Sequence, residues 1–150
     1  MADIPSSPEP RKSSRLPTRS DVVDAARQYL GVRYVHVGRS KEHGVDCIGL
    51  VSGVAVDLGL TSHDMRGYSQ FPDGETLLRE FGKCLLPGTG EIGDVAVFWI
   101  RNRAFPSHAG IITPHGLIHT HAGVGKVVEH KLDARWRSRI VCFFTYPGLA

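Results

Sequence analysis

At 150 residues the chain has the length of one domain, or of one domain plus an arm, and with 41% hydrophobic and 22% charged residues it can bury a core. Eighteen basic against fifteen acidic side chains leave +3 with histidine neutral, too small an excess to argue for nucleic acid as the main partner. No apolar run approaches the ~20 residues that span a bilayer, so no membrane span is expected.

Seventeen glycines and nine prolines demand many turns and favour an α+β or β-rich domain over a helix bundle. Met1 to Pro10 carries no apolar h-region, which reads as no secretory signal. Cys47, Cys84 and Cys142 are odd in number and widely spaced, which argues against a disulfide framework and directs attention to a free thiol.

Residues 1–19, rich in proline and serine with a basic patch at Arg11, Lys12 and Arg15, read as a flexible arm able to dock on a partner. The domain proper is expected over 20–150. A first helix is predicted at about Asp21 to Leu30, with Thr18 and Asp21 at capping-box spacing and Gly31 as its stop. Gly31 to Val45 reads as a polar loop carrying Tyr34, His36 and His43. A second helix follows from Asp46 to Leu58, with Ile48, Val51, Ala55 and Leu58 on one face, Cys47 in its first turn and Gly59 after it.

Tyr68, Phe71 and Pro72 fall in a loop before a short helix at about Glu75 to Phe81. Strand-like runs come next: Lys83–Leu86, Asp94–Trp99, His108–Ile112, Leu117–Thr120, Lys126–Glu129 and Ile140–Tyr146. Helices first and strands later imply an α+β fold, with helices packed on a curled antiparallel sheet of five or six strands.

A catalytic thiol must ionise, and a helix N-terminus is one place where a cysteine pKa is lowered. Cys47 opens its helix, follows Gly44-Val45-Asp46 and has Gly49 beside it; Cys84 and Cys142 lie in strand-like apolar stretches. The thiolate also needs an imidazole, and the imidazole an orienting group. If Thr113 to Gly116 close a hairpin, Ile112 faces Leu117 and Gly110 faces His119. His108 and His119 then share a face as diagonal neighbours. The same register sets His121 opposite His108, so His121 competes with His119 for the third place. A zinc site from Cys47, His108 and His119 has the ligand types but lacks paired ligand spacing, and no cofactor is required.

Tyr29-Leu30-Gly31-Val32-Arg33-Tyr34, Gly44-Val45-Asp46-Cys47-Ile48-Gly49-Leu50-Val51, Gly93-Asp94-Val95-Ala96-Val97-Phe98, His108-Ala109-Gly110-Ile111 and Leu117-Ile118-His119, in this order, resemble the NlpC family of papain-like cell-wall cysteine peptidases over about residues 21–146. Ile48-Gly49-Leu50, Lys126-Val127-Val128-Glu129-His130 and Trp136-Arg137-Ser138-Arg139 resemble its phage-tail branch. The resemblance implies Cys47 as nucleophile, His108 as general base and acid, His119 as the residue orienting its ring, and Tyr34 and Asp46 as residues lining the site. It implies cleavage of peptidoglycan stem peptides, commonly between D-glutamate and diaminopimelate, through an acyl-enzyme. Ile48 departs from the serine common after the cysteine in bacterial members, which puts bond preference in doubt.

The expected setting is a phage tail or tail-like particle, assembled in the host cytoplasm and opening the periplasmic wall during genome delivery, with the arm docked on tail-tip or hub proteins. A lytic enzyme released from the cytoplasm is a close relative of this reading. A structural tail-tip plug with silent chemistry is the alternative, and a thiol acyltransferase or amidase of related fold a further one.

Overall fold

The computed structural model describes residues 15–60 and 74–150. The arm residues 1–14, Arg11 and Lys12 among them, and the loop carrying Tyr68, Phe71 and Pro72 lie outside this range. Helix α1 (Arg19–Arg27) opens with a reciprocal capping box: Thr18 Oγ1 accepts the N–H of Asp21 at 3.1 Å, and Asp21 Oδ2 accepts the N–H of Thr18 at 2.8 Å. Because that box makes Asp21 the third helical residue, the helix begins two residues earlier than the sequence suggests. Thr18 and Arg19, expected in the arm, are its cap and first residue. Val22, Val23 and Ala26 are buried on its inner face.

The loop expected between the first two helices contains a small antiparallel ribbon, β1 (Arg39–Ser40) with β2 (Gly44–Val45). Helix α2 (Cys47–Asp57) follows at once, capped by Asp46, whose Oδ1 accepts the N–H of Gly49 at 2.7 Å. Gly49 has no alternative: a Cβ there would clash with the Gly38 carbonyl oxygen. Ile48, Leu50, Val51, Val54 and Ala55 are buried, so this helix lies in the centre of the domain.

Helix α3 (Gly74–Cys84) runs past Phe81 through Lys83 and Cys84, where a strand was expected; the adjacent strand is only β3 (Leu86–Pro87). Leu77, Phe81 and Leu85 are buried at helical spacing, so packing on the core extends the helix over residues whose β propensity pointed the other way. Cys84 is therefore helical.

The main sheet has six antiparallel strands in the order β3-β8-β4-β5-β6-β7, completed by β4 (Val95–Trp99), β5 (Pro106–Thr113), β6 (Gly116–His119), β7 (Val128–His130) and β8 (Ile140–Thr145). A single-turn helix α4 (Ala134–Arg137), capped by Asp133 and not foreseen, precedes β8. The sheet is covered on both faces. Val95, Val97, Ala109, Ile111 and Ile118 face α1 to α3 in the larger core, while Ala96, Phe98, Ile112 and Leu117, with Ile140 and Phe143 beside them on β8, pack against Leu132 and Trp136 in a smaller one.

Asp94 anchors the helices to the sheet. Its Oδ2 accepts the N–H groups of Thr89, Gly90 and Glu91 at 3.0–3.2 Å, and its Oδ1 meets Arg19 Nη1 at 2.6 Å. Burial would push its pKa up, but Arg19 and these amides hold the carboxyl below its usual range. A second clasp joins Arg27 to Glu129 at 3.0 Å, with the Thr113 hydroxyl donating to the same carboxylate at 2.8 Å.

Candidate active site

Asp46 holds the approach to Cys47 through both oxygens. Beyond capping α2, it accepts the Val37 N–H at 2.8 Å and pairs with Arg39 at 3.2 Å. Val37 sits at φ 59°, a left-handed conformation rare for a β-branched residue, and this bond secures it. Asp46 is thus a fixed element of the loop rather than a free acid.

The half-buried Cys47 thiol points into a cavity of about 440 Å³. Backbone N–H groups of Ala109, Ile48 and Cys47 itself are directed at Sγ and favour the thiolate, but burial and the Asp46 carboxylate outweigh them and push the thiol up to about 12. The lowering expected from the helix N-terminus does not prevail, because desolvation is the larger effect. At neutral pH Cys47 rests as a thiol.

The imidazoles come from the sheet. Ile112 pairs with Leu117, the register expected, although the turn is tighter, with Thr113 already paired to Gly116. His108 Nε2 lies 2.7 Å from His119 Nδ1. Gly110 makes this possible: a Cβ there would stand 2.9 Å from the His119 Cβ and 2.6 Å from Leu117 Cδ1. A bulge where Phe98 pairs with His108 but Trp99 with Pro106 sits next to His108, a common device for aiming a side chain at a site. His119, not His121, therefore makes the hydrogen bond to His108. The His121 ring stands 5.7 Å from that of His108, centroid to centroid, on the cavity wall.

Burial, followed by the neighbouring His119 and His121, holds His108 well below the usual histidine pKa. Burial, with His130 and His121, takes His119 down to about 3. Both rings are neutral at physiological pH, and His121 is lowered by burial and by His130.

Three further residues belong to the site without having been anticipated there. His130 Nε2 lies 2.7 Å from His119 Nε2, and its Nδ1 is 2.8 Å from the Lys131 carbonyl oxygen. His130 pairs with Leu117 across β6–β7, so it is diagonal to His119 just as His108 is. The diagonal rule would have found it had the register of β7 been known. Trp136 packs edge-on against the His119 ring at 4.7 Å and covers His108 at 5.8 Å. Thr120 borders the cavity with a buried hydroxyl that has no hydrogen-bond partner among the described residues. Tyr34 lines the cavity, tethered by its N–H to the Gly125 carbonyl at 2.8 Å.

The far rim is basic. Arg101, Arg135 and Arg139 line it, and Arg139 lies between the rings of Trp99 and Trp136 at 5.2 and 5.8 Å. Among the described residues no cluster of three or more histidine, cysteine or acidic side chains is disposed to hold a metal ion. The nitrogens of His119 are both engaged with other rings.

A thiol at a central helix N-terminus, set against an antiparallel sheet that carries the imidazoles, is one recognised α+β arrangement. The solved structures similar to this chain include NlpC/P60 proteins. The chain is similar to an NlpC/P60 family protein from Bacillus cereus, with a TM-score of 0.66 and 17% identity over 87% of this chain and 41% of that one. It is similar to the NlpC/p60 domain of the peptidoglycan hydrolase SagA, with a TM-score of 0.57 and 22% identity over 85% of this chain and 97% of that domain. The peptidoglycan hydrolase RipB from Mycobacterium tuberculosis gives a TM-score of 0.53 and 17% identity over 85% of this chain and 63% of that one. The chain thus spans less than half of the Bacillus cereus protein and nearly all of the SagA domain. No family model and no curated protein matches the sequence. At these identities the likeness defines the fold, which is that of NlpC/P60 domains.

Proposed function

We propose that the chain is a cysteine peptidase that hydrolyses the stem peptides of bacterial peptidoglycan, with Cys47 as nucleophile, His108 as general base and acid, and His119 orienting the His108 ring. The observation that carries this reading is the opening of Cys47 and His108 into one cavity, with His119 2.7 Å behind His108. Because the resting pair is neutral, the thiol proton passes to His108 as Sγ attacks the scissile carbonyl carbon, and not beforehand. The imidazolium then protonates the leaving amine, and water attacks the thioester with His108 again as base.

Asp46 occupies the N–H of Gly49 and, through its carbonyl, that of Leu50. The amides of Cys47 and Ile48 remain beside the thiol, where the developing oxyanion would lie. The basic rim supports a substrate bearing carboxylates, as stem peptides do, and two solved relatives of this fold are described as peptidoglycan hydrolases. Within that class we assign the D-glutamyl–diaminopimelate bond as the target. The setting that the resemblance suggests is a phage tail or tail-like particle, with the arm docked on tail-tip proteins.

The test is digestion of purified diaminopimelate-type peptidoglycan by wild type and Cys47→Ala, with mass spectrometry of the fragments. New termini at a stem-peptide bond from wild type alone are expected. Cleavage that survives Cys47→Ala overturns the thiol mechanism, and intact walls from both proteins would favour a structural plug.

A further inference from the structure

The hydrogen bonds behind His108 have a direction, and the Lys131 carbonyl sets it. That oxygen can only accept, so Nδ1 of His130, 2.8 Å away, must carry a proton. In neutral His130 the other nitrogen, Nε2, is then bare and can only accept, so His119 donates to it from Nε2 across 2.7 Å. His119 in turn has a bare Nδ1, and His108 must donate to it from Nε2. The one ring nitrogen left over, His108 Nδ1, is unprotonated. The opposite polarity would need both nitrogens of His130 protonated, a cation stacked 4.8 Å from the buried His119 ring.

From this chain we infer that His130, seated on the Lys131 carbonyl, is a positioning residue that fixes the tautomers of His119 and His108, so that His108 presents a bare Nδ1 as the base. A pair of histidines alone would not suffice. His119 with a free Nε2 could donate or accept toward His108 equally well, and in half of these arrangements Nδ1 of His108 would carry the proton it has to receive. Trp136 holds the ladder in register by packing on all three rings, at centroid distances of 4.7 to 6.0 Å. The inference rests on the proposed role of His108 for its catalytic meaning, but the tautomers can be read without any substrate.

The experiment uses the full chain with 15N-labelled histidine and long-range 1H–15N correlation spectra at pH 7.5. Expected are the Nε2–H forms of His108 and His119 and the Nδ1–H form of His130. A proton on Nδ1 of His108, or a bare Nδ1 on His130, overturns the inference from the wild type alone.

Two variants then separate positioning from packing. His130→Leu removes the acceptor and should give His108 a mixed tautomer, with alkylation of Cys47 by iodoacetamide slowed about twofold, the factor for two equally populated arrangements of which one is competent. His130→Gln, whose side-chain oxygen can accept from His119 Nε2, should restore both. An unchanged His108 tautomer in a folded His130→Leu protein overturns the positioning role. Expected tautomers in a protein that leaves peptidoglycan intact sustain this inference and refute the peptidase reading instead.

Discussion

Acid should destabilise this protein at a pH where most proteins are still at their optimum. His119 is 1% exposed and its pKa falls from 6.5 to about 3 on folding, chiefly through burial. In the unfolded chain it takes up a proton as the pH drops through 6.5, whereas in the folded chain it does not until about 3. The unfolded state therefore binds more protons throughout this window, and stability falls with pH at about 1.4 kcal/mol per unit for each such histidine. At pH 5, about 1.5 units below the unfolded value, His119 alone costs about 2 kcal/mol, and His108 adds in the same direction. Against a typical domain stability of about 5–15 kcal/mol that is a large fraction. The carboxylates held low, Asp94 and Glu129, act in the same sense but only as the pH falls through their lower range, so pH 5 to 6.5 isolates the histidines. The assay is urea unfolding at half-unit intervals from pH 7.5 to 5, repeated with His119→Gln. Wild type should lose stability steadily below 6.5, and the variant should show a slope shallower by about one proton. A flat profile for wild type, or one that rises on acidification, would refute the burial argument.

Asp94→Ala leaves three amides without their acceptor and takes from Arg19 its buried partner, leaving it the exposed Glu91, and should lower unfolding stability by about 3 kcal/mol, read from the urea midpoint. Gly110→Ala drives a methyl group into Leu117 and His119 and should cost about 1–3 kcal/mol, with a larger proportional loss of the proposed peptidase activity because His119 is displaced; equal activity per folded molecule would count against the diagonal geometry. Thr120→Val removes a buried hydroxyl without a protein partner among the described residues and should raise stability by about 1 kcal/mol in thermal unfolding. A loss of stability there would mean that the hydroxyl is satisfied in solution.

What could be read from the sequence was what short-range pattern dictates. The α2 helix follows from its apolar periodicity and the Asp46 cap, and the β5–β6 register from two apolar runs joined by a four-residue interval, which places His108 beside His119. His130 escaped because residues 120–127, with Gly123 and Gly125, give no pattern that sets the register of β7 on β6. Helix α4 and the β1–β2 ribbon are single turns or two-residue strands, too short for periodicity to register. The raised pKa of Cys47 is not legible in the sequence for a different reason. The helix terminus is local and visible in sequence, whereas the desolvation that overrides it depends on what the rest of the chain packs around the thiol.

The proposed nucleophile and its proposed base are carried by different cores. Cys47 packs against the larger one, between the helices and the sheet. The histidine ladder lies on the opposite face of β5, against Phe98 and Trp136 of the smaller core, whose outer cover is a helix of one turn. Segments with so little cover open locally at a lower free energy than the whole fold. Warming should therefore free the imidazoles from Trp136 while the thiol is still held in place, so the proposed activity is lost while most of the structure, as seen by far-UV circular dichroism, is intact.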